Sequence, residues 1–211
     1  MKRIRWTRKK IASLAMVVAL FAIAAASTLA YYTDAVEAHN IITSGGVDIT
    51  LNDMTVENGV AVDFPEGGIS GVMPTATVSK VVSVTNESAE AWVRIRLEER
   101  IEARDGSALP AELTDGTPVY TLNLVDNTPW IKGSDDNWYY EYPLWQYETS
   151  EVLFDSVTFS PALGNEYQGC TVYIDVIAEA VQCANNPLPD SGRYEDIPGW
   201  PEESDDPQGA M

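Results

Sequence analysis

The chain has 211 residues but only one histidine, His39, and two cysteines, Cys170 and Cys183. A catalytic zinc takes three protein ligands, and its usual helical signature is His-Glu-x-x-His. One histidine supplies neither that pair nor more than one nucleophile–His–acid set. No glycine-rich phosphate loop follows a strand-like run. The acidic turn Asp135-Asp136-Asn137 offers calcium some oxygen ligands. It lacks the twelve-residue loop and terminal Glu of an EF-hand, and turn chemistry accounts for it. The expectation is a non-enzyme, with no catalytic residues, no metal and no cofactor. Cys170 and Cys183 flank the run from Thr171 to Gln182. As a single strand that run spans roughly 40 Å at about 3.3 Å per residue. A disulfide needs Cα atoms within about 7 Å, so the thiols are expected to be free or to link subunits. Trp92, Trp130, Trp138, Tyr139, Tyr140, Tyr142, Trp145 and Tyr147 open a second line. Aromatic faces pack on sugar rings, which motivates a binding module for polysaccharide or a host surface. Aromatics at strand spacing also serve core and sheet packing.

Strands are the elements available to position these groups. Val47, Ile49 and Leu51 alternate with Asp48, Thr50 and Asn52, as in a half-buried strand. Thr77 to Val84 reads as a second strand. From Trp92 to Leu97, Val93, Ile95 and Leu97 share one face, and Trp92, Arg94 and Arg96 share the wet one. The turn from Asn86 to Glu90 predicts that these two runs pair as a hairpin. On the wet face the arginines can stack on Trp92 or meet acidic side chains across the ladder. Residues 105–118 read as a loop and Val119 to Val125 as a strand. Trp130 to Lys132 and Trp138 to Tyr142 form a hairpin about a turn at 133–137. Glu151 to Phe159 and Thr171 to Gln182 complete the set. Short strands with turns between them predict an all-β jelly-roll or β-sandwich domain over 31–184. From 185 to 211 the composition turns to Pro, Asp and Glu, which predicts a disordered acidic tail.

Export is written at the start. Lys2, Arg3, Arg5, Arg8, Lys9 and Lys10 precede an uncharged apolar run from Ile11 to Ala30. That is the pattern of a secretory signal helix over residues 1–30, with cleavage between Ala30 and Tyr31. A run of about 20 residues also reaches across a bilayer, so an uncleaved anchor is the competing reading. Otherwise the membrane is a partner only through the signal segment, and signal peptidase is a partner during export. All 32 acidic residues but only 7 of the 13 basic ones follow residue 30, so the exported part carries a net charge of −25. Such a surface repels nucleic acid and anionic lipid. The expected place is secreted or extracellular.

Ala30-Tyr31-Tyr32-Thr33-Asp34, Asn40 and Ser44-Gly45-Gly46-Val47-Asp48-Ile49 together resemble the signal and first strand of the camelysin/TasA family. Members of that family carry an export signal processed by a dedicated signal peptidase of the SipW type. Met73-Pro74, Val78-Ser79-Lys80, Val84-Thr85-Asn86, Trp92-Val93-Arg94-Ile95-Arg96, Tyr139-Tyr140, Leu144, Glu148-Thr149 and Leu153-Phe154 fit further segments in order. Ala178-Glu179-Ala180-Val181-Gln182 fits the closing strand. Two turns depart from the pattern. Where the family has Pro-Gly, this chain has Pro74-Thr75 and Gln146-Tyr147, which predicts turns of different shape. The resemblance implies a jelly-roll protein of the biofilm matrix or cell surface of Gram-positive bacteria. Some members polymerise into fibres when the N-terminal segment of one subunit completes the sheet of the next. Its partners would then be copies of itself or homologous matrix subunits. The donor would run from Tyr31 to Ile42, with Tyr32, Val36 and Ile41 as its strand-forming side chains. A monomer whose N-terminal strand folds back on its own sheet is the alternative.

Overall fold

The computed structural model describes residues 41–44 and 46–201. Residues 1–40, which include the expected leader and Ala30, Tyr31, Tyr32, Val36 and His39, together with residues 45 and 202–211, lie outside the described residues. Thirteen strands occur among the described residues: β1 (Ile41–Ser44), β2 (Ile49–Glu57), β3 (Val60–Asp63), β4 (Ile69–Ser70), β5 (Thr77–Ser79), β6 (Val81–Asn86), β7 (Ala91–Glu102), β8 (Ala108–Leu109), β9 (Tyr120–Leu124), β10 (Trp130–Lys132), β11 (Trp138–Tyr140), β12 (Phe154–Phe159) and β13 (Thr171–Gln182). The chain is all-β.

One layer is a sheet ordered β1-β13-β7-β11-β10, with β4 added to β13 and β8 to β7. Its spine is the antiparallel pair β7–β13, matched over twelve positions from Ala91–Gln182 to Glu102–Thr171. The other layer is built from β3-β2-β6 and β5-β12-β9. Only Lys80 separates β5 from β6, and the chain from Ser150 to β12 runs beside both. Lys80 N donates to Asp155 O at 3.1 Å, Leu153 N to Val82 O at 2.9 Å and Ser150 N to Val84 O at 2.8 Å. These bonds join the two small sheets into one sandwich face.

Period-two alternation fills the space between the layers. Ala91, Val93 and Ile95 of β7 and Val176, Ala178 and Ala180 of β13 meet Ile49, Val82, Val84, Leu153 and Phe154, all buried. A second cluster gathers Ile101, Val119, Val157, Phe159, Val172 and Ile174. Trp130, Tyr139 and Tyr140 are buried as well, so three of the eight aromatics that motivate a binding module serve packing.

Two expectations need correction. The runs 77–84 and 92–97 do not form a hairpin: β6 pairs with β2 and β7 with β13, in opposite layers. Asn86 is the reason. Its side chain is fully buried and donates to Ala89 O at 2.9 Å and Leu144 O at 2.8 Å, so the chain turns a corner between sheets there. The expected disordered tail does not describe residues 185–201. This segment straps the outer face of β13, β7 and β11, with a 3-10 turn at Tyr194–Asp196 and Ile197 buried. Pro and Asp content hid three anchors, Tyr194, Ile197 and Trp200, while the prolines lower the entropy lost on ordering. The turns at Thr75 and Tyr147 adopt the left-handed geometry that glycine favours. Ala76 N bonds Met73 O and Glu148 N bonds Trp145 O, with φ of 65° at both Thr75 and Tyr147. That conformation costs a Cβ-bearing residue about 1–2 kcal/mol. Thr75→Gly and Tyr147→Gly should therefore each raise stability by about 1 kcal/mol in urea denaturation.

Candidate functional site

β13 is the strand on which the molecule's unusual features converge. One side of it is fully paired by β7. On the other side β4 covers Thr171 and Val172, and β1 covers Ala178 to Val181 in parallel, with Ile41 opposite Ala178 and Ile42 opposite Glu179. Among the described residues, 173–177 have no strand partner on that side. Unpaired backbone at a sheet edge is a template for another strand. Ala178 and Ala180 are fully buried and small, and half-buried Ile41 packs against the first core cluster beside them. Of the donor-strand side chains expected from sequence, Ile41 is therefore in a sheet.

The outer face of the same strand carries a buried charge network. Arg94 Nε donates to Glu179 across the ladder; Arg94 is 6% exposed and Glu179 0%. Arg96 Nε lies 3.7 Å from the second oxygen of Glu179. Arg94 Nη1 also donates to Tyr139 Oη at 3.3 Å, and Tyr139 donates to Asp135 at 2.6 Å. Burial acts to lower Arg94, but its bond to Tyr139 and the Glu179 charge outweigh that and hold it more firmly protonated. Burial and the Asp135 bond push the Tyr139 phenol up to about 12. The acidic turn at Asp135 thus anchors a tyrosine; its backbone bond from Gly133 N to Asn137 O closes the β10–β11 hairpin.

The strap seals this network. Trp200 stacks over Arg94 at 4.8 Å, and Pro201 O accepts from Arg94 Nη2 at 3.2 Å. Tyr194 packs on Trp92 and on Tyr139, with ring centroids 6.1 and 6.2 Å apart. Trp92 Nε1 donates to Asn186 O at 2.9 Å. Gly199 crosses so close that a Cβ there would meet Val181 Cγ2 at 3.1 Å and Asn186 Oδ1 at 2.9 Å. The face read as wet from sequence is therefore dry, although its arginine does meet an acid across the ladder. Nothing in the sequence alone paired Arg94 with Glu179, 85 positions away.

At its middle the strap is tied to the β10–β11 turn. Ser134 Oγ donates to Glu195 at 2.9 Å and accepts from Arg193 at 2.6 Å. Its own backbone amide, then Arg193, holds the Glu195 carboxyl at about 2 against an ordinary 4.5. A depressed carboxyl stabilises the docked state fully above the unfolded value and loses that contribution as pH falls through the folded one. Acidification from pH 4.5 towards 2 should thus loosen the strap, seen as faster amide exchange at 193–200 than in β13.

Cys170 and Cys183 are free and lie at opposite ends of β13, with Cys170 buried. Burial, then Glu90, pushes the Cys183 thiol up to about 12, so neither is a ready nucleophile. Trp92 and Trp138 are partly covered, whereas Tyr142, Trp145 and Tyr147 stand 57–72% exposed. Among the described residues no group of three or more His, Cys, Asp or Glu is placed to hold a metal ion. The search for relatives returned no matching family model, no curated protein and no solved structure.

Proposed function

We propose that the chain is an exported, non-enzymatic structural protein of a cell surface or biofilm matrix, a jelly-roll-type sandwich that assembles by donating its N-terminal strand to the next copy. The observation that carries this reading is β1 itself, a four-residue parallel strand on the edge of β13. β1 pairs only Ala178 to Val181 and β4 only Thr171 and Val172, so residues 173–177 have no strand partner on that side among the described residues. A longer segment than β1 thus has backbone groups to pair with, whether it comes from the same chain or from another. Parallel pairing over four residues is a weak hold, which suits a strand that exchanges. The secretory leader, the net charge of −25 beyond it and the motif resemblance to the camelysin/TasA family support the same reading.

Purified residues 31–211 should polymerise in electron micrographs, and deletion of residues 31–42 should abolish the fibres. Fibres that persist unchanged after the deletion exclude strand donation. A second reading, a polysaccharide-binding module, is favoured by the exposed Tyr142, Trp145 and Tyr147. Monomers that never polymerise but bind a glycan would select it.

A further inference from the structure

Lys80 is 1% exposed, and among the described residues its one carboxylate at contact distance is Asp53. Its position between β5 and β6 gives it the parity of Val82 and Val84, so its side chain turns into the sandwich. Asp53 sits opposite Val82 on the neighbouring strand β2, a diagonal neighbour on the same face. Lys80 Nζ lies 2.7 Å from Asp53 Oδ1 and 2.5 Å from Oδ2, and 3.8 Å from the centre of the Phe64 ring. The amine is thus held against one carboxyl group with an aromatic wall behind it. As an ion pair this arrangement is a poor use of a core position, because burying two charges costs about as much as their attraction returns.

We propose that Lys80 and Asp53 condense into an intramolecular amide that staples β2 to the β5–β6 junction. The step balances within the pair. The ammonium passes one proton to the carboxylate, and the neutral amine attacks Cγ once it swings out of the carboxyl plane. An N–C bond forms, one C–O bond breaks, and the departing hydroxyl takes a second proton from the nitrogen and leaves as water. No oxidant, cofactor or leaving-group activator is needed. Burial, the largest influence on both groups, raises the Asp53 carboxyl and lowers the Lys80 ammonium, each towards the neutral form the attack requires. Asp53 keeps 26% of its side chain exposed, which gives the water a way out. Once the amine stands over Cγ in a near-attack geometry, holding the two reactants together is worth an effective concentration of about 10⁵ M or more, which favours an amide that free amine and acid do not form. The bond would close a loop that contains β3, β4 and β5, of which β3 is exposed at every position.

Intact mass spectrometry of the purified, denatured protein tests this directly. The expected mass is that of the sequence less one water, and a tryptic digest should contain a branched peptide holding both Asp53 and Lys80, uncut after Lys80. Lys80→Arg keeps the charge but not the nucleophile and should show its full sequence mass. A wild-type protein at full mass with clean tryptic cleavage after Lys80 overturns the proposal, as does a water loss that survives in Lys80→Arg.

Discussion

Glu179→Ala should cost about 3–5 kcal/mol in urea denaturation, among the largest single losses available in this chain. The substitution leaves the Arg94 guanidinium buried beneath Trp200 with its charge partner gone. Asp135 cannot replace it well: its nearest oxygen stands 4.0 Å from Arg94 Nη1 and already accepts from Tyr139. Glu179→Gln keeps an acceptor and should cost less. The informative comparison is the double substitution Arg94→Met with Glu179→Leu. Replacing both charges by apolar groups of similar volume is often neutral or better, so the double variant should recover most of the loss. An Ala variant that loses under about 1 kcal/mol would mean that the strap opens to hydrate Arg94, because a buried unpaired charge cannot be that cheap.

How far this arrangement could be read beforehand depended on whether one residue's surroundings or two distant residues' pairing had to be known. β13 was legible end to end, since Thr171 to Gln182 is one uninterrupted β-forming run and forms one strand. β7 was read as ending at Leu97, but it continues to Glu102. Glu98, Glu99 and Arg100 broke the apolar alternation there; all three are exposed, and Glu99 accepts the Tyr120 hydroxyl at 2.6 Å. β3 and β4 gave no signal: β3 is exposed at every position and held by backbone pairing to β2, and β4 has two residues. Arg94 and Arg96 were recognised as seeking acids across a ladder, yet the partner follows from the β7–β13 register, a long-range fact. Lys80 read as an ordinary strand residue, since its burial depends on Asp53 and Phe64 closing around it. The strap failed for a different reason. Average composition measures whether a segment can bury a core of its own, whereas this one needs three anchors and a face already built.

Truncation after residue 184 should therefore leave the sandwich folded but markedly weaker. Removing the strap strips cover from Trp92, Arg94, Tyr139 and Glu179, while the core clusters between the layers stay intact. Ile197 alone loses about 2 kcal/mol of burial. The two aromatic contacts of Tyr194 and the stacking of Trp200 on Arg94 add about 0.5–1.5 kcal/mol each. Against these stands the entropy of ordering seventeen residues, of which Pro187, Pro189, Pro198 and Pro201 are already restrained. The Arg94–Glu179 pair itself becomes hydrated, so its attraction falls as that of a surface pair does. The expected result is a lower urea midpoint with a smaller slope, because less surface is left to expose on unfolding, and a red shift in the emission of Trp92. In the truncated chain Glu179→Ala should then cost under about 1 kcal/mol, since the arginine it leaves behind can reach water. An unchanged cost of several kcal/mol would place the burial of that pair in the sheet itself and not beneath the strap.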